Sequence, residues 1–313
     1  MTQDATAGYW EPNAILHKAS KPPTDLDTLD YLSPQRRHQI LLSELSCLFN
    51  VKKKTGDKGA VVSLGTTPLS NIEKPAWDFT EQLKLVRGYS DLRTDRIPEI
   101  LVQLDDIVSF FASAMPMNPY HHRKTIQLIS VVHALIVQIE MHVKHYCWMA
   151  RPAGFATQVQ PVIQTPDHST FPSGHAVEAT ALAAVLHWVR TGIHLGEVSA
   201  TADRPMELLL AHRIAVNRTV AGVHFPVDSA AGAVLGATLG EAICSLHAPG
   251  TTANPNKMNV RHFTATENTF GEEEDFLLSW LEKTLNNTNV GPAVPETPVL
   301  FRKLLGAAIG EWR

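Results

Sequence analysis

Three separated clusters of residues that can bind an anion or transfer a proton lie between positions 144 and 228 of this 313-residue chain. In order, they are Lys144 with Arg151 and Pro152; Pro172, Ser173, Gly174 and His175; and Arg218 with His224 and Asp228. Ammonium and guanidinium groups bind the oxygens of a tetrahedral oxyanion, and histidines can attack such a group or exchange protons with it. The residue types therefore predict one anion pocket with nucleophilic and acid–base chemistry.

The first cluster has the spacing of a helix face. Lys144 and Arg151 are seven residues apart, which is about two helical turns, so both cations can point at one ligand. Pro152 disfavours helix at the residue before it and predicts that the helix ends there.

The other two clusters predict helix starts. Ser173 suits an N-cap, where the backbone N–H groups of Ser173 and Gly174 and the helix dipole would face the anion. His224 and Asp228 are four residues apart and flank Pro226, which suits the first turn of a helix. The carboxylate can then hold one ring nitrogen of His224, so that the other faces the ligand as a nucleophile or a metal ligand.

The order and spacing of these clusters resemble the signature of the type 2 phosphatidic acid phosphatase and vanadium-dependent haloperoxidase superfamily, whose members bind phosphate or vanadate in one pocket. The resemblance implies that the anion is bound by Lys144, Arg151, Ser173, Gly174 and Arg218. The chain departs from the family at one position, because Asn217 stands where a serine commonly precedes the arginine.

The resemblance leaves two activities open. In a haloperoxidase, vanadate would be the cofactor with His224 as its protein ligand, and the substrates would be hydrogen peroxide, a halide (bromide or iodide) and a small organic acceptor. In a phosphatase without a cofactor, His224 would attack the phosphorus of a phosphoester while Asp228 orients it and His175 protonates the leaving alcohol. An inactive anion-binding scaffold is disfavoured, because every charged pocket residue is present.

His168 favours the first activity. It lies seven residues before His175, and bromide-oxidising haloperoxidases carry a second histidine at the equivalent place. The chain also lacks an uninterrupted run of roughly 18 apolar residues, so we predict no transmembrane segment. We therefore predict a vanadium-dependent haloperoxidase with His168 as a further catalytic residue, although Met141 stands where these enzymes usually have tryptophan. The alternative is a phosphomonoesterase that works through a phosphohistidine.

Composition excludes several other classes. A net charge of −4 gives no electrostatic basis for binding nucleic acid. The three cysteines, Cys47, Cys147 and Cys244, are too few for a disulfide framework. The N-terminus has no continuous apolar segment typical of a secretory signal, so the sequence predicts a cytoplasmic protein.

The remaining patterns predict an all-α fold, a helical bundle of the acid phosphatase and vanadium haloperoxidase type. Helices that begin near Tyr120, His175, Met206 and Val227 would enclose the anion. Strands are not predicted, and the Lys52–Lys54 run is interpreted as exposed surface in an irregular stretch.

The predicted organisation is an N-terminal arm at 1–34, one catalytic domain at 35–247, a connecting arm at 248–269 and C-terminal helices at 270–313. Apolar residues in the arms and in the last helix predict a homo-oligomer. Glycines at a spacing of four, namely Gly232, Gly236 and Gly240, predict close packing of the last catalytic helix on a neighbour.

Overall fold

The computed structural model describes residues 26–198, 204–247, 258–287, 289–291 and 298–313. Its helices are α1 (Leu26–Asp30), α2 (Pro34–Ser46), α3 (Thr80–Tyr89), α4 (Arg93–Val102), α5 (Val108–Ala114), α6 (Arg123–Tyr146), α7 (Pro152–Phe155), α8 (Gly174–Thr191), α9 (Met206–Val220), α10 (Pro226–Ser245), α11 (Leu278–Asn286) and α12 (Val299–Gly310). Its strands are β1 (Phe49–Lys53), β2 (Gly59–Leu64), β3 (Thr67–Glu73), β4 (Met258–Val260), β5 (Phe263–Thr264) and β6 (Asn289–Gly291). Residues 1–25 of the predicted N-terminal arm and 248–257 of the predicted connecting arm lie outside the described residues.

Helix α8 is the centre of a helical bundle, and it packs against α6, α9 and α10. Its sequence is rich in alanine, and the small buried side chains let three neighbours approach at once. The predicted all-α bundle is confirmed, and the four helices that were expected to surround the site form its core.

The predicted glycine contact lies between α8 and α10. A Cβ atom added at Gly236 would lie 2.3 Å from the carbonyl oxygen of Val177, and one at Gly232 would lie 2.5 Å from that of Ser173. The backbones of the two helices are therefore in direct contact, and only glycine fits at these positions. The contact between Gly232 and Ser173 lies at the start of α8 and holds that segment against α10.

A small sheet was not predicted from the sequence. Strands β1, β2 and β3 form an antiparallel meander, β5 pairs in parallel with β3, and the sheet packs on α6 and α10. In β2, Ala60, Val62 and Leu64 are buried in alternation, as expected for a strand with one face on a core. Lys52 and Lys53 are exposed on β1, as predicted for the lysine run.

Helices α4 and α5 are separated by a short turn. The Asp106 carboxylate accepts a hydrogen bond of 2.9 Å from the backbone N–H of Ser109 in the first turn of α5. Aspartate side chains stabilise helix starts in this way, so the chain begins a new helix here. The turn brings Gln103 to the site described below.

The C-terminal helix α12 docks on its own bundle, against α2, α6 and α8. Beyond its end, the Glu311 carboxylate accepts hydrogen bonds from the backbone N–H groups of Lys124 (2.7 Å) and Thr125 (2.8 Å) at the start of α6. A carboxylate at this position pairs with free N–H groups and with the positive end of the helix dipole. The homo-oligomer remains a prediction, but the apolar face of α12 is used within the chain.

The second arm is also bound to the bundle where it is described. Arg261 donates to both carboxylate oxygens of Glu241 on α10, at 2.9 and 3.1 Å, and to the carbonyl oxygen of Leu285. Since this ion pair is buried and hydrogen-bonded, residues 258–264 are fixed against α10.

Two helices, α6 and α10, are long and apolar enough to cross a membrane by length and composition. The prediction of no transmembrane segment, which required an uninterrupted apolar run, stays a prediction. The apolar part of α10 is wholly buried within the protein and that of α6 is half-buried. Core helices of globular proteins satisfy the same criterion.

The contact between α8 and α10 generates a stability prediction. Gly236→Ala would force the two backbones apart, so we expect it to lower the free energy of unfolding by about 1–3 kcal/mol. The matched control is Gly88→Ala, which lies inside α3 with open space around it and should be neutral or stabilising by about 0.5–1 kcal/mol. Urea unfolding of both variants measures the difference, and equal stabilities would contradict the packing described here.

Candidate active site

The His224 and Asp228 side chains form a buried pair at the start of α10. Asp228 Oδ2 lies 3.1 Å from His224 Nδ1 and also accepts hydrogen bonds from Thr170 Oγ1 (2.5 Å) and from the backbone N–H of Phe225 (2.9 Å). The ring proton of His224 is therefore held on Nδ1, facing the carboxylate. This leaves the Nε2 lone pair directed away from Asp228, as the sequence predicts.

Burial sets the protonation of both groups. It lowers the pKa of His224 well below its usual value, and the nearby Arg151 and Lys144 cations lower it further. Burial also raises the pKa of Asp228 to about 6, against the hydrogen bond from Thr170. At neutral pH the imidazole is neutral and the carboxylate is ionised, which is the state in which Nε2 is nucleophilic.

Arg151 connects the first cluster to the third. Its Nη1 lies 3.0 Å from His224 Nε2 and 2.9 Å from the carbonyl oxygen of Val223. Its other nitrogens contact His168, through the carbonyl oxygen at 3.2–3.3 Å and through Nδ1 at 3.2 Å. Burial lowers the pKa of Arg151 to about 10, so it remains a cation beside the nucleophilic nitrogen.

Lys144 holds the loop that precedes α8. Its ammonium group donates to the carbonyl oxygens of Ser169 (3.2 Å) and Pro172 (2.6 Å). Burial lowers the pKa of Lys144 to about 8, and the neighbouring Glu140 opposes that shift. The lysine is thus largely charged at neutral pH, and its two hydrogen bonds hold the loop that leads into the second cluster.

The start of α8 differs from its prediction in detail. The backbone N–H of Ser173 is not free, because it donates to the carbonyl oxygen of Asp228 at 2.9 Å. The Ser173 hydroxyl makes no capping bond; it is buried and has no partner among the described residues. A Cβ atom at Gly174 would lie 2.5 Å from Glu140 Oε1, so a buried carboxyl group is the close neighbour of this glycine.

Arg218 and His175 meet at the turn between α4 and α5. Arg218 Nη2 donates to Gln103 Oε1 at 2.8 Å and to the carbonyl oxygen of Ile100 at 3.3 Å. His175 Nε2 donates to the carbonyl oxygen of Gln103 at 2.7 Å. Burial lowers the pKa of Arg218 to about 10; burial and then the Arg218 charge lower that of His175 to about 4.

Several buried donors at this site lack a partner. Within the described chain, Arg218 Nε, Arg218 Nη1 and the Ser173 hydroxyl have no hydrogen-bond acceptor. Buried donors are nearly always paired, so their orphaned state indicates that a ligand rich in acceptor oxygens completes them. A tetrahedral oxyanion between these groups and Arg151 would do so.

The structure therefore brings the predicted residues together, although not all directly. Arg151 touches His224, Ser173 touches Asp228, and His175 reaches Arg218 only through Gln103. His168 contacts Arg151.

Three residues of the site were missed. Thr170 lies between two predicted clusters and has no spacing that marks it, and Gln103 comes from a distant part of the chain. Glu140 carried a signal, because it lies one helical turn before Lys144. Burial and the nearby Glu178 raise the pKa of Glu140 well above its usual value.

Comparison with known proteins identifies a family and two relatives. The PAP2 superfamily matches residues 125–249. Two proteins named decaprenylphosphoryl-5-phosphoribose phosphatase, from the CDC 1551 / Oshkosh and ATCC 25618 / H37Rv strains of Mycobacterium tuberculosis, are each 35% identical to this chain over 116 residues. The match covers 37% of this chain and 55% of each relative, so the chain spans little more than half the length of those proteins.

The predicted haloperoxidase function is wrong. The similar proteins are phosphatases by name, which fits the alternative, and nothing in the comparisons supports oxidation of a halide by peroxide. His168, the residue that favoured the haloperoxidase, contacts Arg151 through its Nδ1 atom and its carbonyl oxygen. What the comparisons do show is a PAP2 superfamily domain at residues 125–249 of this chain.

Proposed function

We propose that this protein hydrolyses phosphate monoesters through a phosphohistidine at His224. One observation carries the proposal: the Nε2 atom of a neutral, carboxylate-oriented His224 lies 3.0 Å from a buried arginine. The phosphatase names of its relatives support the same chemistry. Vanadate then serves as an analogue of the phosphoryl group and a probe of the site, rather than as a cofactor.

In the first step, the hydrogen bond of Arg151 Nη1 passes from His224 Nε2 to a phosphoryl oxygen. The freed Nε2 lone pair attacks phosphorus, and the bond between phosphorus and the ester oxygen breaks. The proton stays on His224 Nδ1, facing Asp228, and the carboxylate stabilises the positive charge that develops on the ring. His175, in its protonated form, gives its proton to the leaving oxygen, so an alcohol departs. The unpartnered N–H groups of Arg218 and the Arg151 guanidinium stabilise the phosphoryl oxygens.

In the second step, water attacks the phosphohistidine. His175 is neutral after the first step and accepts a proton from the water, while the bond between Nε2 and phosphorus breaks. Inorganic phosphate and the original protonation states are restored. Lys144 remains charged beneath the loop and keeps Ser169 and Pro172 in place.

The two histidines should differ in a trapping experiment. We expect His224→Ala to abolish turnover because it removes the nucleophile, whereas His175→Ala should slow it by roughly 100-fold, the usual effect of losing a general acid or base. With an aryl phosphate, whose leaving group needs little protonation, His175→Ala should release one equivalent of phenol rapidly and accumulate phosphate on His224. Rapid quenching at alkaline pH followed by peptide mass spectrometry measures that phosphate.

A matched control is His142→Ala, an exposed histidine on the same helix as Lys144, which should keep wild-type turnover. Phosphorus on no histidine in any quench, together with full activity of His224→Ala, would contradict the phosphohistidine.

The pKa values predict an acidic optimum. The first step needs His175 protonated and Asp228 ionised, and the pKa of His175, about 4, lies below that of Asp228, about 6. Between these values the loss of protonated His175 offsets the gain of ionised Asp228, so kcat/KM falls only below about pH 4 and above about pH 6. The form with His175 protonated and Asp228 ionised is most abundant between pH 4 and 6, and we expect a bell-shaped profile with its maximum there. Since bound phosphate offsets the Arg218 charge, it raises the pKa of His175, and the kcat profile should extend to higher pH. A maximum of kcat/KM above pH 8 would exclude these roles.

A further inference from the structure

The turn after α4 inserts a glutamine into the site from outside the PAP2 domain. Gln103 is 1% exposed, and it lies upstream of residues 125–249. Its side-chain oxygen accepts the hydrogen bond of Arg218, and its main-chain oxygen accepts that of His175, at 2.8 and 2.7 Å. One residue thus contacts both a cation of the anion site and the general acid.

The contact with Arg218 fixes a planar group. A guanidinium carries its donors in a rigid fork, so holding one nitrogen sets the direction of the others. Gln103 and Ile100 together occupy Nη2, whereas Nε and Nη1 have no partner among the residues described. The amide oxygen of Gln103 therefore aims the two unpartnered groups of Arg218.

The contact with His175 fixes a tautomer. Since a carbonyl oxygen can only accept, the neutral ring carries its proton on Nε2 and leaves the Nδ1 lone pair for proton exchange. The same carbonyl stabilises the ring when Nδ1 is protonated. Proton transfer to the leaving oxygen and from water then takes place at Nδ1.

Asn217 explains why the glutamine stays in place. Its side-chain NH2 donates to Gln103 Oε1 at 3.0 Å and to Glu99 Oε1 at 2.9 Å. Gln103 Nε2 also donates to Glu99 Oε1, at 3.1 Å, and Arg213 forms an ion pair with the same carboxylate. A serine hydroxyl has a single donor and could satisfy only one of the two acceptors that Asn217 reaches.

We propose that Gln103 is a positioning residue of the phosphoester site, held by Asn217, which orients Arg218 for the anion and His175 for proton transfer. The inference rests on the proposed phosphatase function for the second of these roles. The first role, orientation of Arg218 for an oxyanion, holds for any tetrahedral anion and can be tested without turnover.

The primary variant is Gln103→Met, which keeps the side-chain volume and removes both hydrogen-bonding atoms. Calorimetric titration of the full chain with orthovanadate should show a Kd weakened by roughly tenfold or more, because Arg218 loses its charged hydrogen bond. The stability control is Leu304→Ala in α12, a core position remote from the turn, which should lower Tm and leave the vanadate Kd unchanged. A wild-type Kd for Gln103→Met would overturn the proposal.

Two further variants separate positioning from folding. Gln103→Glu places a carboxylate against Arg218, whose charge lowers the pKa of His175, so it should raise that pKa and shift the alkaline limb of the kcat profile to higher pH. Asn217→Ser should weaken vanadate binding in the same direction as Gln103→Met, and it tests the same contact if the methionine variant does not fold. An unshifted limb or an unchanged Kd would count against the proposal.

Absence of phosphatase activity in the wild-type protein would instead refute the proposed function, because the vanadate titration does not depend on turnover.

Discussion

The direct contact between the backbones of α8 and α10 is the constraint on which the site depends. Glycines on α10 allow it, and at its end the Ser173 N–H donates to the carbonyl oxygen of Asp228. This bond joins the second cluster to the third, so the start of α8 and the nucleophile pair cannot move independently. The small side chains of α8 carry no chemistry, yet they determine where the chemistry is placed.

The burial of three cations at the site is electrostatically unfavourable. Lys144, Arg151 and Arg218 are buried close together, and burial lowers the pKa of each of them. Burying these cations costs free energy, which nearby carboxylates such as Asp228 and Glu178 offset in part and the packed helices must offset for the rest. A bound oxyanion reverses this cost, since it supplies acceptors and negative charge to groups that cannot reorganise. A pocket of this kind favours an anionic phosphoryl group over a neutral ligand.

Segments outside the PAP2 domain complete the site and its frame. The turn after α4 supplies Gln103, the sheet of β1–β3 supports α6 and α10, and Glu311 pairs with the free N–H groups at the start of α6. The 125–249 region thus holds the reacting groups, while the orientation of Arg218 and His175 depends on residues that precede it.

The sequence by itself determined the superfamily resemblance and the helical bundle, because motif spacing and helical periodicity are local properties. It also predicted the residues that we propose to react. It did not reveal the sheet, although the alternation of Ala60, Val62 and Leu64 was present, since the neighbouring lysines and glycines masked it. The haloperoxidase prediction rested on His168. Spacing alone does not distinguish a loop histidine that acts on a halide from one that contacts an arginine. Only the tertiary structure decided that His168 contacts Arg151, that Glu140 lies against Gly174 and that Gln103 reaches Arg218. Those contacts join residues distant in the chain, and their partners are chosen by packing rather than by any local pattern.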